Sequence, residues 1–298
     1  MKIIVNYSNS VYKISIIYGI ILKPPHKINR FKNGANTLLH KLLPMTLVGF
    51  PLALIVFEKL HSSDSILTKR DVSIFMLLGI GEFFTWLLKA FAVLLFVNFL
   101  APFEIFSLSN LSVPRYLSIF ISFLFIDFAG YFTHWLFHRI SVLWKLHKLH
   151  HSDRAVDTIT TFFHHPLEGV TNFLLNTLIF VLFDVPVPVI LLYGVVASIH
   201  APLTHFKILL PEKWNKIVSY LIVTPNFHRI HHSLDMKEGN SNFGIVFPFW
   251  DKLFGTYVSK TYTQMKTIKF GINLNETPDA NSLKEYLINP FLRRHEKS

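Results

Sequence analysis

From Ser73 to Phe103 the chain carries only two charged residues, Glu82 and Lys89. The stretch exceeds the ~20 residues needed to cross a bilayer. Hydrocarbon offers the backbone no hydrogen-bond partner, so a segment of this length and apolarity must be helical. Glu82 and Lys89 are seven residues apart and share roughly one helical face, directed at protein or at an interface. Three other apolar stretches accompany it. Leu42 to Phe57 has no charge but is broken by Pro44 and Pro51. Tyr116 to Thr133 contains one acid, Asp127. Gly169 to Ile199 contains Asp184-Val-Pro-Val-Pro, which divides it into halves of about fifteen residues, short for a full span. That last stretch predicts a hairpin that dips into the membrane and returns, and the expected fold is an all-α integral membrane protein.

Composition supports this. Hydrophobic residues make up 51% of the chain, thirty residues are Phe and only 16% are charged, which is unlike a soluble globular protein. The net charge of +11 comes without a long Lys/Arg block, so it argues for the cytoplasmic face of a membrane and anionic lipid, and against nucleic acid. Arg139, Lys145, Lys148, Arg154, Lys213, Lys216, Arg229 and Lys237 mark the central region as cytoplasmic. Lys13, Lys23, Lys27, Arg30 and Lys32 argue for the same side at the N-terminus. One of the three apolar stretches before His134 is then not a full span, and Leu42 to Phe57 is the weakest. Ile14 to Leu22 is too short to span and lacks a signal-peptide cleavage site. The absence of cysteine excludes disulfides and thiolate ligands, so any metal is held by nitrogen and oxygen.

Sixteen histidines are present, and eight fall in three clusters: His134 and His138; His147, His150 and His151; His228, His231 and His232. Chance gives well under one His-x-x-His-His in a chain of this composition, and here there are two. Neutral imidazole is a common ligand for iron, zinc and copper, and helix positions three and four apart share a face. One zinc uses three or four ligands, so eight imidazoles point to a dinuclear centre. Spacing leaves iron, zinc, copper and nickel open. His200 lies five residues before His205 and can complete the ligand shell or serve as a hydrogen-bonded helix residue. Asp127 lies seven residues before His134 on a similar face and can orient a ligand imidazole or pack a helix. The isolated His26, His40, His61 and His295 are expected to be ordinary hydrogen-bonding or interfacial residues.

The clusters, with their framing Asp127, Tyr131, Arg139, Leu143-Trp144 and His151-Ser152, resemble the fatty acid hydroxylase and sterol desaturase superfamily of membrane di-iron oxygenases. Thr224-Pro225, Phe227-His228-Arg229, Asn242-Phe243-Gly244 and the run Trp250 to Tyr257 extend the resemblance over about 116–257. It implies transmembrane helices with a cytoplasmic helical cap that holds two irons and uses O2 and external electrons to hydroxylate or desaturate a lipid. The eight clustered histidines match the family's ligands. His205 falls where a further ligand is usual, although its neighbours are Phe206-Lys207 instead of the common Ala-Asn. His165, in His165-Pro166-Leu167-Glu168, matches another family element, but Phe163 stands where Arg is frequent. The implied organisation is an N-terminal membrane region over 1–115 with one or two spans, a catalytic domain over 116–258 and a polar tail over 259–298. It places the protein in the endoplasmic reticulum if eukaryotic, or the inner membrane if bacterial.

Oxidising an unactivated C–H bond requires a metal that changes valence, which favours iron over zinc. The chain shows no Gly-rich dinucleotide fingerprint and no fused haem domain, so electrons come from a partner: a cytochrome b5, a ferredoxin or a flavoprotein reductase. Phe132, Trp135, Leu136 and Phe137 are candidates to line a lipid passage or to pack against core and lipid. The rival reading is a histidine-rich metal-binding or metal-transport protein. A transporter, however, places ionisable ligands near the membrane midplane in repeated halves, and no halves repeat here. The lipid itself is not legible from the sequence.

Overall fold

The computed structural model describes residues 48–61, 68–273, 278 and 282–291, all within one compact unit that begins at Met45. Its elements are helices. Among the described residues there is no β-strand, only an isolated antiparallel bridge between Ser233 and Phe270.

Helix α1, Phe50–Leu60, starts with Pro51 in its first turn, where the missing N–H costs nothing. The proline read as a break in the first apolar stretch therefore opens a helix; residues 42–47 of that stretch and the N-terminal basic residues lie outside the described part. Helix α2, Lys69–Leu100, runs unbroken for 32 residues, about 48 Å at the α-helical rise. Helix α3, Arg115–Arg139, and helix α4, Ser141–His151, are separated by Ile140 in an extended conformation (φ −96°, ψ 115°). One residue thus folds the helix carrying the first histidine pair back against the helix carrying the next three.

A 3-10 turn, Thr158–Phe162, leads to α5, Pro166–Leu182, and α6, Val187–His205. Asp184 sits at the bend with φ 41°, as the Asp-Val-Pro-Val-Pro break predicts. The second arm is longer than expected. It runs on through Pro202 to His205, and at 19 residues it joins α3, with 25, as a helix long and apolar enough to cross a membrane. The polypeptide continues through α7, Glu212–Val218, α8, Pro225–His231, α9, Met236–Gly239, α10, Phe249–Leu253, α11, Tyr262–Met265, and α12, Leu283–Ile288.

Two apolar clusters fix these elements. Ile55, Ile74, Leu77, Leu149, Ile159, Phe163 and Tyr286 join α1, α2, α4, the 3-10 turn and α12. Leu108, Ile126, Val185, Val189, Tyr193 and Val246 join α3, the α5–α6 bend and α6 to the loop before α10. Each fully buried aliphatic or aromatic side chain contributes roughly 1.5–3 kcal/mol. A buried ionic network adds direction. Arg70 donates to Asp153, to Asp157 at 3.0 and 3.2 Å, and to Asp71 at 3.0 Å, while Lys59 reaches Asp71 at 2.7 Å. It ties the start of α2 to the loop that follows His151.

Candidate metal centre

The turn at Ile140 and the packing of α6 and α8 against α3 and α4 bring nine histidines together. They fall into two groups whose nitrogens lie within 4.8 Å of one another: His134, His138, His147, His151 and His231 in one, and His150, His205, His228 and His232 in the other. Helix geometry explains the division. Residues i and i+4 share a face and consecutive residues point about 100° apart, so His147 and His151 turn to the first group while His150 turns to the second. On α8, His228 and His232 serve the second group and His231 the first. Thr224 starts that helix by accepting from the Phe227 N–H, with Pro225 in the first turn, which sets the rotation of all three.

Hydrogen bonds identify which ring nitrogens are free. His134 Nδ1 donates to Phe243 O at 2.9 Å, His138 Nδ1 to Asn240 Oδ1 at 3.3 Å, His147 Nδ1 to Glu168 Oε1 at 2.7 Å and His231 Nδ1 to Ser241 O at 2.7 Å. In the other group His205 Nδ1 donates to Ala201 O at 3.0 Å. A neutral imidazole that donates from Nδ1 carries a lone pair on Nε2. His134 and His147 Nε2 therefore face each other at 3.2 Å with lone pair against lone pair. The Nε2 atoms of His138, His151 and His231 are buried without a hydrogen-bond partner. A proton could bridge one such pair but cannot satisfy five converging nitrogens, whereas a cation does.

The spacing agrees. With metal–nitrogen bonds of about 2.0–2.1 Å, adjacent ligand atoms lie about 3.0 Å apart at right angles and about 3.4 Å apart in a tetrahedron. The Nε2 contacts are 3.2 Å for His134–His147, 3.3 Å for His205–His150, 3.0 Å for His228–His205 and 3.2 Å for His232–His228. Burial, and after it the neighbouring imidazoles, pushes His150, His151, His228, His231 and His232 well below the ordinary histidine range. They are neutral at physiological pH, the form that binds metal. All-imidazole donors of this kind suit iron, zinc, copper or nickel and disfavour calcium or magnesium.

The other sequence candidates stand outside both groups. His165 caps α5: its Nδ1 accepts from Leu167 N at 3.2 Å and its Nε2 donates to Leu287 O at 3.2 Å. His200 Nε2 is buried without a hydrogen-bond partner and belongs to neither group. Asp127 touches no imidazole. It accepts from Tyr193 Oη at 2.6 Å, Val246 N at 3.1 Å, Phe247 N at 3.3 Å and Trp250 Nε1 at 2.9 Å, clamping α3 to α6 and to the loop before α10. His61 bonds Phe57 O at 2.8 Å and stacks on the Phe57 ring, while His26, His40 and His295 lie outside the described residues.

Two residues not expected at the site stand directly behind it. Glu168 Oε1 accepts from both His147 Nδ1 and, at 2.8 Å, His164 Nδ1, and the His164 ring stacks on His150 with centroids 4.2 Å apart. Both belong to the His164 to Glu168 run, whose similarity to the family element was their signal. Asp251 supports the first group at one remove. It accepts from Phe243 N at 2.7 Å and Gly244 N at 2.8 Å, fixing the carbonyl that holds His134. Burial raises its carboxyl to about 6 despite these bonds.

A cavity of about 430 Å³ opens from this site along α3, α5 and α6. At its inner end are His134, His147, His150, His205 and His228; farther out its walls are Ile126, Gly130, Phe180, Ile190, Gly194 and Ala197. The α6 positions Ile190, Gly194, Ala197 and Ala201 repeat every three or four residues, so one helical stripe forms a wall. Nothing lies within 4 Å of a Cβ built on Gly194, because that face looks into open space.

Residues 119–256 match the family model described as fatty acid hydroxylase. These residues form a fatty acid hydroxylase domain. Both histidine groups and the inner wall of the cavity lie within it. Over 144 residues the chain is 31% identical to an ornithine lipid hydroxylase of Rhizobium tropici, covering 48% of this chain and 43% of that one. It is 25% identical to the alkylglycerol monooxygenase of Homo sapiens over 180 residues, covering 58% and 38%. A very-long-chain aldehyde decarbonylase of Oryza sativa subsp. japonica is 26% identical over 167 residues, covering 52% and 25%. The chain thus spans less than half the length of these relatives. No solved structure gives a significant match. Two helices of this region, α3 and α6, are long and apolar enough to cross a membrane.

Proposed function

We propose that this protein is a membrane-bound di-iron oxygenase that hydroxylates or desaturates a lipid with O2 and electrons from a partner protein. The observation that carries the reading is the convergence of nine imidazoles in two groups, with Nε2 atoms facing one another, at one end of a largely apolar cavity. His134, His138, His147, His151 and His231 would hold one ion and His150, His205, His228 and His232 the other. Iron bound there supplies O2 activation and an oxidant able to attack a C–H bond.

The protein's own contribution is orientation and exclusion. Phe243 O, Asn240, Glu168, Ala201 O and Ser241 O fix the tautomers of five rings, keeping their lone pairs aimed inward before any metal arrives. The cavity of about 430 Å³ between α3, α5 and α6 would admit an alkyl chain, and a chain filling it would displace water and protect a reactive site from side reactions. Glu168 holds the protons on His147 and His164 at Nδ1. The domains proposed are a membrane region over 1–115, the catalytic domain over 116–258 and a tail over 259–298, with the histidine groups on the cytoplasmic side where the electron donor binds.

Metal analysis of the purified protein, together with a lipid oxidation assay run with O2 and a competent reductase, tests this. About two irons per chain and O2-dependent product are expected. Bound zinc with no oxidation would overturn the reading and favour a metal-binding role. His150→Ala should abolish turnover while membrane insertion stays intact, since it removes a ligand and little apolar area; wild-type turnover would remove His150 from the site.

A further inference from the structure

The cavity wall contributed by α5 is not uniformly apolar. Glu168, Asn172, Asn176 and Phe180 all line it, one residue per turn at i, i+4, i+8 and i+12, so a single stripe of this helix faces the cavity. Successive members are about 6 Å apart along the axis. The first touches His147 and the last meets the apolar outer end beside Ile190. Between them, two amides, flanked by Thr171 and Thr177, interrupt a helix that otherwise reads Phe173-Leu174-Leu175 and Leu178-Ile179-Phe180-Val181-Leu182.

Polar side chains in such a setting are costly and mark function more often than fold. Their bonding is specific. Asn176 Nδ2 donates to the Asn172 backbone O at 2.9 Å and to Asn172 Oδ1 at 2.8 Å. This locks the two amides against each other and leaves Asn172 Nδ2 as a donor and Asn176 Oδ1 as an acceptor without protein partners among the described residues. Thr171, before Asn172, bonds back to Leu167 O at 2.7 Å and offers its proton to nothing else. Asn176 lines the cavity, and Asn172, which is exposed, lines it and also borders the groove against α2 near Gly81 and Thr85; the two amides bond within their own turn.

One donor beside one acceptor is the complement of a group that both accepts and donates, namely a hydroxyl or an N–H amide. We propose that Asn172 and Asn176 are specificity-determining residues that hold a hydroxyl or amide group of the lipid substrate, one to two helical turns from the carbon presented to the histidines. The preferred substrate is then a lipid with such a group within the length of the cavity, and a plain hydrocarbon chain is disfavoured. This rests on reading the cavity as the lipid channel of the oxidising enzyme, and it adds what measures the position of attack: the distance along α5 from the amide pair to Glu168.

The test is an equilibrium one and needs no turnover. Full-length protein in detergent is equilibrated with equal amounts of hexadecan-1-ol and hexadecane, and bound lipid is quantified by gas chromatography–mass spectrometry against protein-free micelles. The wild type is expected to favour the alcohol. The double variant Asn172→Leu, Asn176→Leu should lose roughly tenfold of that preference, the worth of one or two net hydrogen bonds, while Leu178→Val, on the same helix but outside the cavity lining, keeps it. If the double variant fails to fold, Asn176→Val alone, which removes the free acceptor, should lose about threefold. Absence of preference in the wild type, or an undiminished preference in the folded variants, overturns the proposal. Iron-loaded wild type that prefers the alcohol but oxidises no lipid in the presence of reductant would refute the oxygenase reading and leave the amide pair standing.

Discussion

Replacing Glu168 with Gln isolates the contribution of charge behind the histidines. The carboxylate is buried, and a single oxygen, Oε1, accepts from both His147 Nδ1 and His164 Nδ1 at 2.7 and 2.8 Å, while Oε2 has no partner. Gln keeps an oxygen at the accepting position, so both hydrogen bonds survive as neutral ones. Hydrogen bonds to a charged group contribute roughly 1.5–3 kcal/mol and neutral ones roughly 0.5–1.5. The exchange therefore costs about 1 kcal/mol per bond, about 2 kcal/mol in all, and buries an unpartnered amide N–H₂ in place of Oε2. Two kcal/mol is about thirtyfold in an equilibrium constant, within the 10–100-fold typical of losing a partner behind a metal ligand. The assay is metal retention: wild type and Glu168→Gln are dialysed against graded chelator, and residual iron is measured by inductively coupled plasma mass spectrometry. A shift of about thirtyfold in the half-loss point is expected, and a larger one for Glu168→Ala, which removes the acceptor outright. Retention within twofold of wild type in Glu168→Gln would refute the account of how His147 is held.

Acid should release metal and unfold the protein together. His150, His151, His228, His231 and His232 have folded-state values depressed below the unfolded value near 6.5, so below that pH the unfolded chain binds more protons and stability falls as pH falls. Each residue accounts for up to about 1.4 kcal/mol per pH unit; a melting temperature of metal-free protein that stays flat from pH 7.5 to 5.5 would contradict their burial as neutral rings. Gly194→Leu, whose side chain enters open cavity space, should leave thermal stability and bound metal unchanged and cut lipid oxidation at least tenfold; unchanged product formation would show that the substrate enters elsewhere. Asp127→Ala strands the four donors it accepts from, Tyr193, Trp250, Val246 and Phe247, and should cost roughly 3–5 kcal/mol in chemical denaturation. Metal bound per folded molecule should stay within twofold, and a selective loss of metal would restore Asp127 to a ligand-orienting role.

The nature of the elements was legible because it depends on local rules. Apolar length required helices, Asp184-Val-Pro-Val-Pro required a bend, and the spacings of the three histidine clusters set which rings share a face. Those rules act over a few residues along one helix axis. They do not reach across helices, and this is where the expectations fell short. Asp127 and His134 share a face of α3, yet the loop before α10 arrives with two donors and α10 with a third, Trp250, and they take the carboxylate away from the imidazole. His165 and Glu168 lie in one motif, but α5 begins between them, so His165 becomes the cap and Glu168 points back at His147.

The amino-acid sequence by itself determined that this protein is helical, suited to a membrane and rich in imidazoles aimed in common directions from their helices. Only the tertiary structure decided that nine of them separate into groups of five and four, that Glu168 and Phe243 O fix their tautomers, and that the cavity meeting them carries an amide pair. The reason is geometric. Helical periodicity sets the direction of a side chain about its own axis, whereas the distance between Nε2 atoms 13 and 55 residues apart is set by how α3, α4, α6 and α8 pack.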